Sequence, residues 1–323
     1  MKLGVFNPVL KNKTFEEACA YLEGLGVQMM EIGCGGFPGK EHCNPKVLLG
    51  DDEKRKEFLD VLARHHLEIS GLSCHGNPVH PDPEKAKQFD DDLTDAILLC
   101  EKLGVSILNT FSGCPGADDG SKMPNWVTCS WPDDFGEILA WQWEKVLIPY
   151  WKQKAAFAKE HGVDKIALEL HPGFCVYNTS SLLRLRREVG PEIGANLDPS
   201  HLIWQQMDPA EVIRVLGEEN AIFHFHAKDT QINPYNCRIN GVLDTGNYHD
   251  LQKRSWTFRS IGYGNDLGYW KNIISQLRLT GYDHVISIEH EDGLMSQNEG
   301  LTKTVDALKQ IIIFDKSGEM YWA

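Results

Sequence analysis

The sequence predicts a single-domain α/β fold of 323 residues, a closed (β/α)8 TIM barrel with long loops after its fourth and seventh strands. Three observations predict it. Short β-like runs alternate eight times with longer amphipathic helices, an order that calls for parallel strands joined by helical crossovers. No composition break or linker divides residues 1–323, so one domain accounts for the chain. The first strand turn lacks the G-x-G-x-x-G of a doubly wound open sheet, the competing architecture.

The elements follow in order. Leu3–Phe6 is the first strand. Thr14 opens a helix over 15–24, with Glu17 at the capping-box position. Val27–Ile32 is the second strand, and Gly33, Gly35 and Gly36 read as a loop behind it. Asp51 or Asp52 caps a helix running to His66, and Leu67–Cys74 is the third strand. Pro83 starts a long helix that ends at Leu103 before Gly104, and Val105–Phe111 is the fourth strand. Residues 112–135 form a loop rich in Gly, Pro and Trp, and 136–161 form one long helix. Lys165–His171, Ile193–Leu197 and Ala221–His226 are strands five to seven. Helices over 179–188 and 208–216 separate them, the second capped by Asp208. Residues 227–266 are polar with little periodicity. A helix over 267–279, the strand His284–Glu289 and a helix over 296–312 complete the eighth unit.

Composition narrows the function. Lys and Arg number 32 against 46 Asp and Glu, a net charge of −14, which repels phosphate backbones and argues against nucleic acid as a partner. No apolar run approaches the roughly 20 residues that cross a bilayer, and MKLGVFNPVL reads as a strand rather than a signal peptide. Nine cysteines without a C-x-x-C motif fit reduced thiols, so a cytoplasmic location is expected.

In a barrel the C-terminal strand ends converge on one mouth. Strand five ends in LELHPG (Glu169, His171), strand six in NLDPSH (Asp198, His201), strand seven in HFHAKD (His224, His226, Lys228) and strand eight in SIEHED (Glu289). Four consecutive strands thus bring a carboxylate or imidazole to an apolar rim, where each is costly to bury unpaired. A shared divalent cation removes that cost. Glu169, Asp198, His226 and Glu289 supply three oxygen donors and one nitrogen donor, a set suited to Mn²⁺, Mg²⁺, Co²⁺ or Zn²⁺.

These motifs, in this order, resemble the xylose isomerase-like superfamily of sugar isomerases and epimerases. That superfamily includes ketose 3-epimerases, the inosose isomerases and dehydratases, and keto-glycoside epimerases. The resemblance implies one divalent ion, Mn²⁺ first, on Glu169, Asp198, His226 and Glu289. It makes Glu169 and Glu289 the catalytic acid/base pair and puts His201 on a substrate oxygen. The implied reaction is isomerisation or epimerisation of a keto-sugar, cyclitol or keto-glycoside through a metal-stabilised enediolate. The alternatives are a lyase of the same superfamily, either an inosose dehydratase or a 3-keto-glycoside-cleaving C-deglycosidase subunit, and, further off, an apurinic endonuclease-type nuclease. A non-catalytic sugar-binding barrel is disfavoured because both acid/base Glu are present. Two positions depart from the ketose 3-epimerase pattern, Cys175 for a Glu and Ile232 for an Arg, which argues against a plain ketohexose epimerase.

Chemistry without the family gives the same reading. A cation on a carbonyl oxygen stabilises the enediolate, and a carboxylate on each face can move the proton across. His171 and Lys228 are expected at the substrate, Lys228 either as an electrophile or as the partner of Asp229. His75 is expected to bind hydroxyls or order its loop, Glu31 ends strand two with the same two options, and Trp126 is expected to stack on a sugar or aglycone or to pack its loop. The expected partner is a small carbohydrate, and a homo-oligomer or partner subunit is compatible with the sequence.

Overall fold

The structure is a computed structural model and describes residues 1–316 and 318–322. Eight parallel strands close into a barrel: β1 (Lys2–Phe6), β2 (Met29–Gly36), β3 (Glu68–His75), β4 (Ile107–Thr110), β5 (Lys165–Glu169), β6 (Ile193–Leu197), β7 (Ile222–Ala227) and, last in sequence, β10 (Val285–Ile288). The ring runs β1-β10-β7-β6-β5-β4-β3-β2, so β10 closes against β1, with Leu3 opposite Ile286 and Val5 opposite Ile288. Between β7 and β10 lies an antiparallel hairpin of β8 (Asp229–Ile232) and β9 (Trp256–Arg259).

The predicted helix starts hold because short polar side chains satisfy the free amides of each first turn. Thr14 accepts from the Glu17 amide while Glu17 returns a bond to the Thr14 amide. Asp51, Asp82 and Asp208 cap the helices Asp52–Arg64, Pro83–Leu103 and Pro209–Glu218. Gly104 ends the second of these with φ of 68°, a left-handed conformation that glycine adopts without a Cβ clash. The apolar faces pack on the barrel exterior, where Leu22, Leu62, Ile97, Trp151, Ile213, Trp270 and Leu308 are buried.

Three expectations change. The glycines after Ile32 belong to β2, because its end presses against β3: a Cβ on Gly36 would lie 1.9 Å from the His75 carbonyl oxygen, and its φ is 63°. The single helix over 136–161 is Asp133–Trp141 and Ile148–Glu160 joined by a π-helical turn, Gln142–Leu147. That turn serves the preceding loop: the buried Gln142 amide donates to the carbonyls of Gly116 at 3.0 Å and Asn125 at 2.6 Å. The polar stretch 227–266 contains the β8–β9 hairpin and a short helix, Pro234–Asn240, capped by Asn233. Its strands are four residues each and pair across a long insert, too short to impose a readable period.

Candidate metal centre and substrate cavity

The rim is assembled from strand ends. Glu169 is the last residue of β5, Asp198 follows β6, His226 is the penultimate residue of β7 and Glu289 follows β10. One ligand atom from each lies within 4.8 Å of the others. Glu169, Asp198 and His226 are buried and Glu289 is nearly so. Asp198 does two jobs. It caps the helix Pro199–Trp204, with one oxygen accepting from the Ser200 amide at 2.8 Å. Its Oδ2 faces the cluster, within 3.0 Å of the Lys228 ammonium but without hydrogen-bond geometry.

His226 is held from below. Its Nε2 donates to the Glu31 carboxylate at 2.9 Å. Glu31 also accepts from the hydroxyls of Ser73 at 2.6 Å and Ser287 at 2.7 Å and from the Asn109 amide at 3.0 Å. Beneath, His224 bonds Asn196 and Ser70, both at 3.1 Å. This pairing leaves His226 Nδ1 toward the rim, 3.2 Å from Glu289 and without a hydrogen bond. A metal-binding imidazole commonly gives its second N–H to a carboxylate, which fixes ring orientation and tautomer. The buried, hydrogen-bond-free His226 Nδ1 and Asp198 Oδ2, with two more carboxylates beside them, fit a divalent cation.

The electrostatics agree. Burial pushes the Asp198 carboxyl up to about 7, against the pull of Lys228. Burial works the same way on Glu289, but Lys228 and His226 overcome it and bring it down to about 2. Glu169 is held well below the carboxylate range despite its burial, by His201 and His75. His226 stays protonated far above the usual imidazole range because Glu31 and Glu289 outweigh its burial. Lys228 is the local cation: its Nζ lies 2.6 Å from Glu289 and 3.0 Å from Glu291, and 4.6 Å above the Phe258 ring.

The structure brings the expected binding residues together. His201 Nε2 is 3.1 Å from Glu169 Oε1, and burial pushes that imidazole down to about 3, so it sits there neutral. His75 Nε2 lies 3.1 Å from Glu169 Oε2. His171 packs on His201 with ring centroids 4.1 Å apart. Lys228 does not pair with Asp229. Asp229 turns away and accepts from the amides of Gly264 at 3.1 Å and Asn265 at 2.9 Å, ordering the loop after β9. Glu31 lies inside β2, not at its end, and supports His226. Glu291, Phe258, Trp204 and Tyr248 were not singled out from the sequence: Phe258 lies on β9, Tyr248 in the insert before it, Trp204 ends the unpredicted helix Pro199–Trp204, and Glu291 follows β10.

Two cavities open on the rim. One, of about 230 Å³, is lined by Phe6, Phe111, His75, Glu169, Lys228 and Glu289. The other, of about 360 Å³, is lined by Trp126, His171, His201, Trp204, Tyr248 and Trp256 among others. His171 is common to both. Trp126, edge-on to Tyr177 at 5.3 Å, thus stands in the second cavity, away from the carboxylates.

With this geometry in place, comparison with known proteins is decisive at the family level. A model of the xylose isomerase-like TIM barrel matches residues 19–311. The chain belongs to that family. The chain is 40% identical over 315 residues to the uncharacterized protein YfiH of Bacillus subtilis strain 168, covering 97% of this chain and 99% of that one. A D-tagatose 3-epimerase-like protein superposes with a TM-score of 0.64 at 21% identity, over 96% of this chain and 98% of that one. The IOLI protein, solved with a bound zinc atom, superposes with a TM-score of 0.63 at 18% identity, over 97% and 100%. No helix among the described residues is long and apolar enough to cross a membrane.

Proposed function

We propose that the protein is a divalent-metal-dependent isomerase or epimerase of a keto-sugar, cyclitol or keto-glycoside, acting by proton transfer next to a carbonyl. One observation carries the reading: Glu169 and Glu289, three strands apart on the ring, present carboxylate oxygens to a common centre with Asp198 and His226. A divalent ion held by those four residues supplies positive charge for the enediolate that proton removal leaves. Mn²⁺ is the expected ion, with Mg²⁺, Co²⁺ and Zn²⁺ as alternatives.

The chain's own groups do the rest. Glu169 and Glu289 approach the substrate from opposite sides, one taking the proton and the other returning it. His201, neutral and in contact with Glu169, holds a substrate oxygen. Lys228 keeps Glu289 ionised and ready to accept the proton. Phe6 and Phe111 give the smaller cavity an apolar wall beside the carboxylates. The nine cysteines are all free thiols, which supports the cytoplasmic placement.

A second reading has its own support. The 360 Å³ cavity beside the rim gives room for a leaving group, so the same enolisation can end in elimination, as a dehydratase or keto-glycoside lyase. The test is turnover of keto-sugars, inososes and keto-glycosides with added Mn²⁺ in deuterium oxide, followed by NMR and mass. Deuterium at a substrate carbon with the skeleton intact supports epimerisation, and loss of water or an aglycone supports the lyase. Conversion with neither exchange nor elimination overturns both.

A further inference from the structure

The larger cavity is built differently from the catalytic one: it shares His171 with it and is lined by His201, but contains none of the four residues of the metal centre. Its wall comes from the two long insertions and one short helix: Trp126 from the loop after β4, Trp204 from Pro199–Trp204, and Tyr248 and Trp256 from the hairpin region. Trp204 and Trp256 stack face to face, 4.7 Å between centroids and 5° between planes. Tyr248 stands edge-on to Trp256 at 5.9 Å. This wall is braced. The buried Arg254 guanidinium lies 4.2 Å over Tyr248 and 4.6 Å over Trp256 and donates to the Gly246 carbonyl at 2.6 Å. Asp244 clamps the same turn by accepting from the Ser255 and Gly246 amides.

A rigid aromatic wall of this kind contrasts with the rim. Its edge leaves Leu243 and Tyr248 61% and 57% exposed, apolar area that a ligand would cover. The indole N–H groups of Trp126 and Trp204 have no hydrogen-bond partner. The cavity meets the catalytic one at His171, whose ring packs on His201 beside Glu169. A substrate centred on Glu169 and Glu289 therefore enters the second cavity only if it continues past His171.

We infer that the larger cavity is a second subsite, which takes a ring joined to the reacting sugar, so that the natural substrate is a two-ring keto-glycoside and not a free monosaccharide. The inference rests on the proposed function for the placement of the reacting ring. The shared chemistry is a ring with an apolar face, and a sugar or an aryl group supplies it. Two aromatic contacts of this kind give an affinity gain on the order of tenfold.

The test compares dissociation constants, by tryptophan fluorescence and calorimetry, within matched pairs on the Mn²⁺-loaded protein. One arm sets D-fructose against lactulose, maltulose and isomaltulose. The other sets methyl against phenyl 3-keto-β-D-glucopyranoside. The expected result is a two-ring advantage of about tenfold in at least one arm, and the arm that shows it tells sugar from aryl. Tyr248→Ala and the cavity-filling Leu243→Trp, both at exposed positions and checked for folding by circular dichroism, should bring that ratio to near one. Equal binding within every pair, no binding by any member, or a ratio untouched by both variants overturns the inference. Mn²⁺ titration by calorimetry, without sugar, tests the metal centre separately, so failure of the subsite and failure of the proposed function give different results.

Discussion

The two nitrogens of His226 face two differently built regions. Below, Nε2 meets a closed polar network in which both Glu31 oxygens are taken up by His226, Ser73, Asn109 and Ser287. Above, Nδ1 meets Glu289, Glu169 and Asp198, where His226 Nδ1, His75 Nε2 and Asp198 Oδ2 lack hydrogen bonds. Both regions are buried and polar. The lower one ties both Glu31 oxygens to protein donors and leaves the Asn109 Oδ1 as its unpaired atom, so it chiefly fixes geometry. The upper one holds three carboxylates whose ionic neighbours leave these atoms without hydrogen-bond geometry, and buried charges that are imperfectly bonded are expensive. The contrast teaches where a ligand belongs: not where polar groups are most numerous, but where they remain unsatisfied.

Breaking the upper region should have the largest effect. Glu289→Gln removes a proton-transfer group and should lower kcat by about 10²–10⁴-fold, the usual worth of a general base. Substrate binding should remain measurable by calorimetry. A variant that turns over at the wild-type rate would refute the assigned role.

Breaking the lower region should act through the upper one. Glu31→Gln keeps the shape but removes the charge that holds the His226 Nε2 proton. Metal affinity should fall about 10–100-fold, as for other partners of metal-binding histidines. The check is a Co²⁺ or Mn²⁺ titration, and an altered Co²⁺ spectrum would separate a reoriented ligand from simple loss of stability.

Acidity sharpens the contrast further. Metal ligands must be deprotonated, while the metal-free Asp198 carboxyl sits at about 7 and His226 titrates above the usual range. Cation affinity should therefore weaken steadily as pH falls below 7 and strengthen above it, with proton release on binding. Calorimetry in buffers of different ionisation enthalpy reads the protons released, and a pH-independent affinity would exclude these ligands.

The smallest effect is expected at a satisfied carboxylate on the rim. Asp292 accepts from the Ser260 and Leu294 amides and from Arg259, tying β9 to the loop after β10. Burial opposes ionisation there, but those donors win and depress its pKa. A depressed carboxylate stabilises the fold above its unfolded value near 3.9, and the contribution disappears as pH falls through the lower folded value. Asp292→Asn should cost about 1.5–3 kcal/mol near neutrality, the worth of bonds to a charged group, and should flatten the acid limb of the denaturation curve.

Much of the site was legible because barrel topology turns strand ends into neighbours. Once eight units were counted, Glu169, Asp198, His226 and Glu289 had one place to go. Lys228 was legible as a site residue but not in its pairing. Two positions past His226, strand alternation sends it inward to Asp198 and Glu289, while Asp229 points the other way and caps a turn. Glu31 was misplaced because glycines usually mark a loop, whereas here they extend β2 to let its end touch β3. The aromatic wall was illegible as a unit: Trp126, Trp204, Tyr248 and Trp256 come from three segments with no shared period.

By itself the sequence determined the alternation of strands and helices, the caps that start them, and which residues stand at the strand ends, because those depend on local periodicity and on side chains bonding the next turn. The tertiary structure decided the rest. Closing the ring brought Glu31 under His226, folding the hairpin back carried Tyr248 and Trp256 beside His171 and His201, and leaving some donors and acceptors unpaired marked the working face. These outcomes depend on contacts between residues far apart in the chain, where distance and burial set the chemistry.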